Sequence, residues 1–172
     1  MDITQLILDD HAEQRRLFSI IEEIDSGDTA ALTAVWGRLS ALLDAHAEAE
    51  ERFFYPELLK VGEAANDAEG SDAGPETVDA IADHNKIRNA VRAVGEHPVG
   101  GPDWVEAVGK ANVVNSKHMG EEERQGLTDF RRHASLEVRH TLGVRFAAFA
   151  ATHLTGVKPV NKDPASYVEA NA

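Results

Sequence analysis

One pattern occurs twice along this chain, and it constrains the fold more than any other feature. The first copy reads Asp10-His11 with Arg15 four residues on, followed by His46, Glu50, Glu51 and Arg52. The second reads Asp83-His84 with Arg88 four residues on, followed by His118, Glu122, Glu123 and Arg124. The spacing from first to second histidine differs by a single residue between the copies. Such a repeat predicts two matching helical hairpins, each bringing two imidazoles and one carboxylate to one place.

Helical periodicity runs through both copies, and no alternating strand pattern stands out. A first helix is expected from about Ile3 to Ile24, with Ile3, Ile7, His11, Gln14, Phe18 and Ile21 on one face. The second carries Leu32, Leu39, His46, Glu50 and Phe53 or Phe54 in one stripe. Pro56 lacks an N–H, so it should kink or end the last turn. Residues 62–75, rich in Gly, Asp, Ala and Asn, read as a surface linker. A third helix is expected from about Glu76 to Val94, and a fourth from near Trp104 to about Arg132. Ser135 opens a fifth helix ending near His153, with Leu142, Phe146 and Phe149 on its packing side. Short turns inside each hairpin predict an all-α, antiparallel four-helix bundle with an additional C-terminal helix, spanning residues 1–155. Residues 156–172, polar and with two prolines, are expected to form a loose tail.

Composition narrows the function. With 172 residues the chain can bury a core as one domain. A net charge of −13 and no basic patch argue against nucleic acid or an anionic membrane as partner. There is no cysteine, so any metal is held by nitrogen and oxygen, which favours iron, manganese or zinc. No secretory leader or bilayer-spanning stretch is evident, and a cytoplasmic location is expected.

Residues four apart on a helix lie on nearly the same side, so His46 with Glu50, and His118 with Glu122, point together. All of them fall within apolar stripes. Buried carboxylates need positive partners, and two metal ions would supply them. Four neutral imidazoles and two carboxylates leave such a pair with surplus positive charge, which favours a bridging hydroxide, oxide, peroxide or another small anion. A single inward histidine, or one His-x-x-x-Glu pair, is commonly just a core contact. The duplicated set on four helices is what argues for metal.

These residues resemble the hemerythrin-like proteins with an HHE cation-binding domain, over roughly His11 to Phe130. The Glu-Glu-Arg run and Tyr55-Pro56 look closest to actinobacterial members. The resemblance implies a non-haem site with two iron ions, oxo- or hydroxo-bridged, in a four-helix bundle. His11 and His46 would favour one iron, His84 and His118 the other, with Glu50 and Glu122 bridging. The chain departs from the oxygen-carrying members at one place, because Arg88 stands where those have a fifth histidine. A less saturated pair suits turnover of peroxide better than reversible O2 carriage.

Further candidates flank the set. Tyr55 is expected as a core ring with its hydroxyl tied to a site carboxylate, or as an added ligand. Glu51 and Glu123 are possible ligands, although helical geometry favours surface pairing with Arg52 and Arg124. Asp10 and Asp83 should turn away from the site and pair with neighbouring helices. His97, His133, His140 and His153 read as solvent-exposed.

The expected function is therefore a metal-binding protein reacting with small oxygen species, with catalase-like peroxide decomposition as the leading activity and no catalytic residue beyond the metal ligands. The alternative is a non-catalytic sensor or carrier of iron, O2 or NO. The partners expected are small molecules (O2, H2O2 or NO). Ferritin-like oxidases use Glu-x-x-His in the opposite order, and a zinc hydrolase would need a general base that the motif does not offer.

Overall fold

A computed structural model describes the backbone of residues 1–65 and 73–172, and the side chains of 1–61 and 73–172. Among the described residues the chain forms eight helices and no strand: α1 (Ile3–Glu23), α2 (Thr29–Phe53), α3 (Tyr55–Ala65), α4 (Ala73–Val94), α5 (Pro102–Arg124), α6 (Gly126–His133), α7 (Leu136–Thr152) and α8 (Pro164–Asn171). The hairpins α1–α2 and α4–α5 make the four-helix bundle that the repeat predicts. Four of the eight starts are set by side-chain caps. Asp2 accepts from the Thr4 amide, Asp28 from that of Ala31, and Ser135 from that of Val138. At the far end of the bundle Gly100 takes φ +78°, and a Cβ there would strike the Ser26 carbonyl. Only glycine lets those two turns meet.

Burial divides the bundle into layers. One apolar cluster gathers Ile3, Ile7, Phe54, Ile81, Phe130 and Phe146. The other gathers Leu17, Phe18, Leu39, Leu43, Ile87, Trp104 and Val108. Along every bundle helix the residues between these clusters are polar and buried: His11 and Gln14, His46 and Glu50, His84, then Asn115, His118 and Glu122. The apolar layers supply the stability, so the polar layer between them is free to serve chemistry.

Several expectations need correction. The second helix does end near Pro56, but the chain restarts at once as α3, with Pro56 in its first turn where no N–H is required. The fourth helix does not run through to Arg132. It breaks at Gln125 (φ −110°, ψ −87°), one position earlier in the repeat than the break at Phe54. Both breaks let α3 and α6 turn onto each other, with Gly126 against Leu58 and the Phe54 ring. The surface linker expected over 62–75 is helical to Ala65 and from Ala73, and the rest of it lies outside the described residues.

The fifth helix is found as α7, with Leu142, Phe146 and Phe149 buried against the bundle. Residues 156–172 do not form a loose tail throughout. Asp163 caps α8 through the Ser166 amide with Pro164 at its first position, and the segment docks beside α4. Its polar composition reflects polar contacts, described below.

Candidate metal centre

The four histidines and Glu50 converge from four helices. His46 Nε2 is 3.0 Å from Glu50 Oε1, and His84 Nε2 is 3.2 Å from Glu50 Oε2. The Nε2 atoms of His84 and His118 are 3.1 Å apart. His11 Nε2 lies 3.3 Å from Glu122 Oε2. Two groups could each hold a cation: His11 with His46 and Glu50, and Glu50 with His84 and His118. Glu50 thus offers one oxygen to each imidazole pair. Glu122 stands beside His11, and its Oε1 accepts a 2.5 Å hydrogen bond from the Tyr55 hydroxyl.

These spacings are what a shared ion requires. Two donors each about 2.1 Å from one ion and at right angles stand about 3 Å apart. The contacts are also poor hydrogen bonds: His11 Nε2, His46 Nε2, both Glu50 oxygens and Glu122 Oε2 are buried with no hydrogen-bond partner among the described residues. Buried polar atoms left in that state are costly, and cations in the two groups would satisfy those of His11, His46 and Glu50.

Behind the imidazoles lies a second tier. His11 Nδ1 donates to Glu123 Oε1 at 2.9 Å, His84 Nδ1 to Glu51 Oε1 at 2.7 Å, and His46 Nδ1 to Asp10 Oδ2 at 3.0 Å. An ionised carboxylate only accepts, so each Nδ1 carries a proton and each ring turns its Nε2 inward, where loss of the second proton frees a lone pair for an ion. Arg15 holds Glu123 at 2.7 Å and Arg88 holds Glu51 at 2.9 Å. The repeat therefore contains the same His–Glu–Arg chain twice.

These contacts correct three expectations. Asp10 does not turn away from the site, because α1 and α2 pack closely enough for it to reach the imidazole on the neighbouring helix. Glu51 and Glu123 are not surface partners of Arg52 and Arg124. Each reaches across to a histidine of another helix, and Glu51 is fully buried. Asp83 does pair with neighbours, accepting from Lys86 and Lys117. Of the remaining histidines, His133 and His140 are exposed, whereas His153 is half-buried and stacked 4.0 Å from the Phe149 ring.

Electrostatics support a cation-seeking centre. Burial alone would raise the Glu50 carboxyl, yet His46 and His84 hold it well below the ordinary range. Burial would lower His84, but Glu50 and Glu51 raise it to about 9. His118 moves the other way, depressed by burial and by the charge of His84. Glu122 is raised by burial and by Glu50. Without metal, the protons held on His46 and His84 stand where the positive charge belongs.

The chain matches the model of the hemerythrin HHE cation-binding domain over residues 2–139. It belongs to the hemerythrin HHE family. No curated protein and no solved structure matches it. A cation-binding family accords with the two groups of His and Glu side chains that could each hold a metal ion. No helix among the described residues is long and apolar enough to cross a membrane.

The two halves differ in cover. On the first hairpin α7 sets Phe146 edge-on to His46, with ring centres 6.1 Å apart, and leaves only a smaller cavity of about 250 Å³ beside Ala45, His46 and Ala49. The positions on α5 that match Ala45 and Ala49 are Lys117 and Glu121, and no helix among the described residues covers them. A cavity of about 580 Å³ opens there, lined by Asp83, Lys86, Lys117, Glu121, Tyr55, Glu122 and His118.

Proposed function

We propose that the chain binds two iron ions and decomposes hydrogen peroxide, two molecules giving two of water and one of dioxygen. His11 and His46 would hold one ion with Glu50 Oε1 and Glu122, and His84 and His118 the other with Glu50 Oε2. Iron, when bound, supplies the electron-accepting and electron-donating couple that this disproportionation needs.

One observation carries the reading. Arg88, in the place of a fifth imidazole, is committed to Glu51, and the half of the site it leaves short of a ligand is the half facing the cavity. Room at the metal and access from solvent coincide at His118. Charged and hydroxyl groups line that passage, which suits a polar hydrogen-bonding molecule better than an apolar diatomic. Tyr55 stands at its inner end. Burial and the charge of Glu122 raise its pKa well above the ordinary value, so it remains a phenol that donates a hydrogen bond.

The test is iron analysis of the purified protein followed by hydrogen peroxide addition with an oxygen electrode. Two irons per chain and O2 evolution that disappears in His118→Ala are expected. A stable, reversible oxygenated spectrum without turnover would instead make the protein a carrier.

A further inference from the structure

The matched family unit ends at residue 139, yet the chain returns to the centre after it. Residues 161–171 form a strap fastened to α4 immediately beside the site. The Asn85 amide donates to the Lys162 carbonyl at 2.6 Å and accepts from the Lys162 N–H at 3.0 Å. Asn161 donates to Asn89 Oδ1 at 3.0 Å. From this anchorage two side chains reach α2. The Tyr167 hydroxyl donates to the backbone carbonyl of Glu51. The Lys162 ammonium pairs with Glu51 Oε2, and with Glu48 at 3.1 Å.

This contact divides the two oxygens of Glu51. Oε1 receives His84 and Arg88, and Oε2 receives Lys162. A terminal carboxylate torsion is otherwise broad, so holding Oε2 fixes the direction in which Oε1 faces the imidazole. Among the described residues the other hairpin has no such brace. Glu123 has Arg15 and His11, and its side chain is 28 % exposed where that of Glu51 is 0 % exposed.

We propose that the C-terminal strap is a working part of the metal centre, with Lys162 a positioning residue that acts through Glu51 to hold His84 at its ion. The statement about the ion rests on the two-metal reading above; the statement about His84 does not. The reinforcement falls on the half that faces the cavity and has lost a potential imidazole ligand.

Two measurements on full-length protein test this, using Lys162→Met and Lys162→Arg. In the metal-free protein, the hydrogen-bonded Nδ1–H resonances of His11, His46 and His84 are followed by NMR exchange with water. Lys162→Met should speed exchange at His84 alone, by about tenfold, and Lys162→Arg should restore it. In protein loaded with cobalt(II), loss to a chelator should speed up by about tenfold for one of the two ions. Unchanged exchange at His84, or equal acceleration at all three histidines, overturns the positioning role. Unchanged release of both ions overturns the claim about the metal. If the unaltered protein takes up no cobalt and no iron, the two-metal reading falls, and the His84 result still decides the role of Lys162.

Discussion

Glu51 sets its Oε1 2.7 Å from Nδ1 of His84, and the pair is buried with Arg88 behind it. The imidazole is thereby fixed in ring orientation before any ion arrives, with Nε2 left as the nitrogen that gives up its proton to one. Glu51→Gln keeps the shape but can turn an amide donor toward Nδ1. Metal affinity should fall about 10–100-fold. Glu123→Gln should have a smaller effect, because solvent can replace part of what the exposed carboxylate contributes. Isothermal titration with cobalt(II) checks both.

Tyr55 should prove to be a hydrogen-bond donor to Glu122 and not a metal ligand. Tyr55→Phe leaves Glu122 Oε1 buried without its partner, at a cost of about 1–3 kcal/mol in unfolding free energy. The iron-loaded protein and this variant should share the same visible spectrum, with no tyrosinate charge-transfer band in either. Such a band in the unaltered protein, absent from the variant, would place the oxygen on the metal.

Acid should weaken the fold partly through Glu51. Burial would raise its carboxyl, but His84, Arg88 and Lys162 bring it down to about 2 from an ordinary 4.5. A depressed folded-state value means stability that is present above about pH 4.5 and is lost as the pH falls toward 2. The full contribution is on the order of 3 kcal/mol. Urea unfolding of the metal-free protein at pH 6 and pH 3 should show Glu51→Gln destabilised at the first and by less than half as much at the second.

Asp44 works in the opposite sense. Burial raises its carboxyl to about 6 despite Arg88 and Arg92, and Oδ1 has no hydrogen-bond partner among the described residues. The folded state therefore binds its proton more tightly than the unfolded chain, and stability declines as pH rises from about 3.8 to 6. Asp44→Asn should raise the melting temperature at pH 7.5 and leave it unchanged near pH 3.5.

Much of the bundle was legible because burial and helical period leave a common trace. Ile7, His11 and Gln14 share a face whatever lies opposite, and His46 and Glu50 point together by helical geometry alone. Asp10, Glu51 and Glu123 escaped that logic because their partners sit on other helices. Which imidazole a carboxylate meets depends on how far two helices are rotated and how closely they pack. A trace was still present, since Asp-His, His-x-x-x-Arg and Glu-Glu-Arg all recur in both copies. The break at Phe54 was foreshadowed by Pro56, while Gln125-Gly126 gave no comparable signal. The segment after residue 156 was read from its polarity, although Asp163-Pro164 is a helix start.

The cover that α7 lays on one hairpin has a consequence for engineering. Equal ligands on the two hairpins mean that the entrance is chosen by what rests on the outside of the bundle. Trimming Phe146 while placing bulky apolar side chains at Lys117 and Glu121 would begin to move the doorway from one half of the site to the other without altering any of the six clustered His and Glu side chains. Reactivity and access could then be varied as separate quantities in one small scaffold.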